Sequence, residues 1–114
     1  MTAPSLDGRR FGSTENTVDG EVGGDTSFEY FENDSEIWGT YSGGEVRRGY
    51  LVGTRDGDAL DFRYTHLNTK RETSSGHCLT RIVVLDDGRL RLEETWEWES
   101  RPGSGFSAVE ELRD

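Results

Sequence analysis

Apolar residues in this chain recur at every second position more often than at helical spacing, the period of strands whose side chains alternate between two faces. In LRLEETWEWE, Leu90, Leu92, Glu94, Trp96 and Trp98 share one face, while Arg91, Glu93, Thr95, Glu97 and Glu99 share the other. From Phe11 onward, turn signals interrupt such runs roughly every 8–12 residues, as in an all-β sandwich or barrel. No stretch sustains helical spacing over three turns, and the terminal SAVEELRD reads equally as helix or strand. The pattern predicts about eight strands, near residues 10–17, 25–31, 35–41, 45–54, 58–67, 74–85, 89–99 and 105–112.

Loops set the register. Ser42-Gly43-Gly44, Arg55-Asp56-Gly57 and Asp86-Asp87-Gly88 read as three-residue hairpin loops ending in a left-handed glycine, and Glu32-Asn33-Asp34 has the same length. These loops pair Phe28 with Trp38, Trp38 with Arg48, Arg48 with Tyr64, Tyr50 with Phe62, Thr80 with Glu94 and Cys78 with Trp96. All the even positions of the middle strands then fall on one face, including Thr40, Val46, Arg48, Tyr50 and Val52. Phe31, Ile37, Leu51 and Leu79 fall on the other, where they suggest a homodimer contact. An antiparallel meander of this size closes most naturally into a small up-and-down barrel that can hold one ligand, with a sandwich or half-open barrel as the other closures. Residues 1–9 read as a flexible leader and 10–114 as a single barrel domain.

The shared face is apolar except for Arg48, Tyr64, His66, Thr80 and Glu94. One reading is structural: Arg48 and Glu94 form a buried pair, since either charge alone would cost several kcal/mol. The other is a cavity for a small apolar or aromatic ligand with a polar end. Tyr30, Trp38, Tyr64, Trp96 and Trp98 would line it, Arg48 and His66 would meet a polar or anionic group, and Glu94 would orient Arg48 or accept a hydrogen bond. An enzyme is the alternative, a cofactor-free isomerase, cyclase or lyase. There Glu94, its pKa raised by burial unless Arg48 lies close, acts as general acid or base with His66 and Tyr64 as donors. His77 and Cys78 face opposite ways, and His66 with Cys78 gives two ligands at best, so no metal is expected. GEVGGDTS and YSGGEV lack the phosphate-loop lysine and read as turns, and no cofactor is implied.

Composition narrows the partners. The 114 residues carry 23 acidic and 13 basic side chains, a net charge of −10 that repels nucleic acid and anionic lipid. No apolar run reaches the roughly 18 residues of a membrane span, and the N-terminus lacks a signal segment. A single cysteine, Cys78, forms no internal disulfide and points to a cytoplasmic setting. Lys70 is the one lysine; such arginine bias on an acidic chain fits salt adaptation and high-GC coding equally.

The segments GRRFGSTENTVDGEV, WGTYSGGEVRRGYLVG, DFRYTHLNTK, GHC, DGRLRLEETWEWE and SAVEEL, spread from Arg9 to Leu112, closely resemble a family of small bacterial and archaeal proteins. Its members often carry the label "N-acetylglutamate synthase", which implies acetyl transfer from acetyl-CoA to glutamate. The residues themselves offer no strand-turn-helix unit for the CoA pyrophosphate, and an acidic surface opposes two anionic substrates. In architecture the chain is similar to the lipocalin and avidin group of meander barrels, a likeness of fold that leaves function open.

Overall fold

The computed structural model describes residues 3–16 and 25–112. Eight strands follow in order: β1 Arg9–Asn16, β2 Ser27–Asn33, β3 Glu36–Gly43, β4 Val46–Asp56, β5 Ala59–Asn68, β6 Thr73–Val84, β7 Leu90–Trp98 and β8 Ser104–Glu111. Each pairs antiparallel with the next, and β1 pairs with β8, so the sheet is a closed barrel. Closure removes the free edges that would otherwise template aggregation. SAVEEL is strand, settling that ambiguity. Residues 20–24 of the glycine-rich GEVGGDTS, like residues 1–2 and 113–114, lie outside the described residues.

The register of β6 and β7 is as the alternation predicts: Cys78 faces Trp96, Thr80 faces Glu94, Ile82 faces Leu92 and Val84 faces Leu90. In β3 and β4 the expectation fails. The β2–β3 connection is the two-residue turn Asp34–Ser35, both with positive φ (56° and 64°), which pairs Asn33 with Glu36 and Phe31 with Trp38. A two-residue loop in place of three inverts every side chain of the following strand. The β4–β5 turn is also two residues, Gly57–Asp58, pairing Asp56 with Ala59, and it restores the parity in β5. Inside face Ile37, Gly39, Tyr41, Gly49 and Leu51; outside face Trp38, Thr40, Arg48, Tyr50 and Val52.

The inverted strands carry glycine inward for a reason of space. A methyl on Gly49 would strike the Tyr41 ring, on Gly53 the backbone of Asp61 and Phe62, and on Gly76 the Tyr64 hydroxyl. Large rings on one strand thus fill hollows left by glycine on the next. The core runs from Leu6, Ile37, Leu60, Leu90 and Leu92 near one end, through Phe11 and its cross-strand partner Phe28, to Tyr41, Trp96 and Trp98 toward the other.

Residues 3–8 are no loose leader. Leu6 is wholly buried, and Arg55 donates to the carbonyls of Ala3 and Pro4 while pairing with Glu32 at 2.8 Å. Glu32 in turn accepts from the Leu6 amide, and Asp58 from the Ala3 amide. The segment therefore plugs the barrel at the end bearing loops 34–35, 57–58 and 86–88. On the wall, Glu29, Asp61, Arg63, Arg81 and Glu97 are exposed, unlike the apolar band with which barrels meet lipid. Among the described residues no helix is long and apolar enough to cross a membrane.

Candidate functional site

Glu94 stands mid-strand in β7, on the inward side because alternation puts it between Leu92 and Trp96. It is buried, and Ser107 of β8, its register partner, donates to it at 2.9 Å. Arg48, the cation expected beside it, lies exposed on the outer wall, and no cation pairs with Glu94 among the described residues. Burial consequently raises its pKa to about 7, with the Ser107 and Tyr30 hydroxyls pulling it partly back.

Tyr30 comes from β2 and is wholly buried. Its hydroxyl faces the Glu94 carboxyl closely enough for the two to shift each other, yet makes no hydrogen bond of ordinary geometry. Its pKa is driven well upward, first by burial and then by the Glu94 charge, so it stays a neutral donor. Tyr30 and Glu94 thus form a buried donor–acceptor pair that lacks a hydrogen bond of ordinary geometry, an exception among buried polar groups.

Around this pair, Cys78 and Thr80 of β6 lie 3.5 Å apart, sulfur to hydroxyl. Burial, then Glu94, pushes the Cys78 thiol up, so it is an unreactive, apolar-like wall. Tyr64, half-buried on β5, is raised by the same causes in the order burial, Cys78, Glu94. Phe62, Tyr64 and Trp98 meet edge to face, and Trp96 packs on Trp98 at 5.4 Å between ring centroids.

His66 sits higher in the barrel, buried against Trp98, with its Nδ1 2.8 Å from the Tyr41 hydroxyl. Asn68, next inward on β5, accepts the amides of Lys70 and Glu72 and so shapes the 69–72 loop at the end opposite the plug. There Arg101, in the β7–β8 connection, lies over the Trp98 ring at 4.4 Å.

Of the residues that the sequence nominates, the barrel gathers Tyr30, Tyr64, His66, Glu94, Trp96 and Trp98 on its inner face. Trp38 and Arg48 are corrected: the Asp34–Ser35 turn carries both outside, where Trp38 stacks on Phe31 at 6.0 Å. Sequence reasoning missed Tyr41 and Ser107. Tyr41 was hidden by the same parity inversion, and Ser107 by the ambiguity of SAVEEL. Among the described residues, no three His, Cys, Asp or Glu side chains gather as metal ligands. The strands also supply no helix N-terminus for a CoA pyrophosphate, so the acetyl-transfer implication finds no support in the fold.

Neither the curated proteins nor the solved structures give a match to this chain. A family profile described as "Avidin-like protein" matches residues 4–112, which spans the plugging segment and all eight strands. With nearly the whole chain covered and the meander barrel closed as described, the protein belongs to the avidin-like family.

Proposed function

We propose that the barrel binds one small, largely apolar or aromatic molecule whose polar end reaches Glu94 and Tyr30. The observation that carries this reading is a buried carboxyl with no cation among the described residues, faced by a buried Tyr30 hydroxyl that makes no hydrogen bond of ordinary geometry. With Arg48 outside, an anionic ligand end has lost its expected partner. Glu94 and Tyr30 together suit a neutral group with an N–H or O–H to give and an oxygen to receive, such as an amide. Trp96, Trp98 and Phe62 offer the apolar surface. Cys78, buried and free, fits a cytoplasmic compartment that keeps thiols reduced.

The test is a titration with N-phenyl-1-naphthylamine, a neutral aromatic probe with a single N–H, together with native mass spectrometry of the protein as purified. Saturable binding near one probe per chain, weakened about tenfold by Glu94→Gln or Tyr30→Phe, supports the reading. No saturable binding and no co-purifying mass would sink it.

The pKa of about 7 at Glu94 favours a second reading, proton-transfer catalysis in the same site. Its probe is 5-nitrobenzisoxazole, whose N–O bond breaks as a base takes one C–H proton. A rate above buffer that rises through pH 7 and vanishes in Glu94→Gln supports catalysis; a buffer rate throughout removes it.

A further inference from the structure

β1 to β4 carry a pocket of about 360 Å³ on the outer wall, whose lining also includes the inward-facing Phe28 and Tyr41. Its floor is a cross-strand row in register, Arg10 beside Glu29, Glu29 beside Thr40 and Thr40 beside Tyr50. Arg47 and Arg48 form one edge. Adjacent residues of a regular strand point to opposite faces. Here the register shifts between Val46 and Arg48, and the irregularity leaves Val46 and Gly49 buried while Arg47 and Arg48 are both exposed. Re-aiming a side chain is what a β-bulge does, and bulges concentrate beside sites.

Among the described residues the arginines divide by partner, and Arg71 and Arg81, outside the pocket, make no carboxylate pair. Arg9, Arg55, Arg63, Arg89 and Arg91 each pair with a carboxylate. Arg10, Arg47 and Arg48 make no such pair among the described residues. Glu29 faces Arg10 across the strands, which leaves Arg47 and Arg48, consecutive in the chain and both exposed, as cations without a carboxylate partner among the described residues of a chain of net charge −10.

We propose that this outer pocket binds a small organic anion with two or more negative charges, held by Arg47 and Arg48. The Thr40 and Tyr50 hydroxyls stand at hand for its uncharged polar atoms. The guanidinium fork suits carboxylate and phosphate oxygens alike, and the volume suits a small molecule. The surrounding acidic surface excludes long polyanions, which would have to lie across it.

Isothermal titration of the full chain at low ionic strength tests this, with sodium pyrophosphate in one arm and sodium citrate in the other. At least one anion is expected to saturate at one per chain, and the arm that does so separates phosphate from carboxylate. The double variant Arg47→Gln/Arg48→Gln should weaken binding about tenfold or more, while Arg63→Gln, elsewhere on the wall, leaves it unchanged. Both arginines are exposed, so circular dichroism should show an intact barrel, with Arg48→Gln alone as the second variant. Binding of N-phenyl-1-naphthylamine should be unaffected, which keeps the outcome independent of the interior site. No saturable binding of either anion, or an equal loss in Arg63→Gln, overturns the proposal.

Discussion

Glu94 ties the stability of the barrel to pH in a direction opposite to that of an ion-paired carboxylate. Its pKa rises from 4.5 to about 7 because burial penalises the charge. Between those values the folded protein holds a proton that the unfolded chain releases, so stability is full below pH 4.5 and declines as pH rises through 7. A shift of this size corresponds to about 3 kcal/mol. Glu94→Gln keeps the shape and the oxygen that accepts from Ser107 but never ionises. Urea unfolding followed by tryptophan fluorescence should therefore show the variant more stable than the parent by about 1–3 kcal/mol at pH 8, and nearly equal at pH 4.5. An identical difference at both pH values would refute the shift. Tyr30→Phe removes a buried hydroxyl that has no ordinary partner, so stability should hold or rise by about 1 kcal/mol. A loss of 2 kcal/mol or more would show that the hydroxyl is bonded after all.

At the level of strands and turns, the hairpins explain what the alternation could and could not reveal. In β6 and β7, large apolar residues point in and charged ones point out, so a slip would bury Arg91 and Glu93, and the predicted register stands. In β3 and β4 the outer positions hold Trp38, Tyr50 and Val52 while the inner ones include Gly39, Gly49 and Gly53. Hydrophobicity there points the wrong way, because Gly49 leaves room for the Tyr41 ring while Gly39 and Gly53 lie close against the backbone of neighbouring strands. Strand count, closure and the inward side of Glu94 were thus legible, while its Ser107 partner was not, and the side assigned to Arg48 and Trp38 depended on one turn. Asp34–Ser35 was hard to see because serine is a poor marker for positive φ. The same mismatch makes a prediction: Asp34→Asn with Ser35→Gly should stabilise the protein by about 1 kcal/mol without moving the tryptophan emission. A destabilised double variant would mean that the turn is not of this two-residue kind. Conversely, Gly49→Ala should cost about 1–3 kcal/mol in the same assay, because the added methyl meets the Tyr41 ring.

Across the described residues the two barrel ends are unequal, and this bears on how the proposed ligand would reach the interior. One end is shut by residues 3–8, with Leu6 inside and the Arg55, Glu32 and Asp58 side chains tying the segment's backbone down. The other end is bounded by the 44–45, 69–72 and 99–103 connections, and its rings include Trp98 under Arg101. If the interior binds a ligand as proposed, entry belongs to the second end, and the plug contributes stability without contact to it. Leu6→Ala deletes a fully buried side chain beneath Phe11, and a core truncation of this kind costs about 2–5 kcal/mol. The urea midpoint should fall with an unchanged slope, since the surface exposed on unfolding is nearly the same. Affinity for N-phenyl-1-naphthylamine should stay within about twofold under native conditions, whereas Trp98→Ala at the opposite end should lose it. If Leu6→Ala left stability intact and abolished probe binding instead, the plug would be the door, and the polarity assigned to the barrel would be reversed.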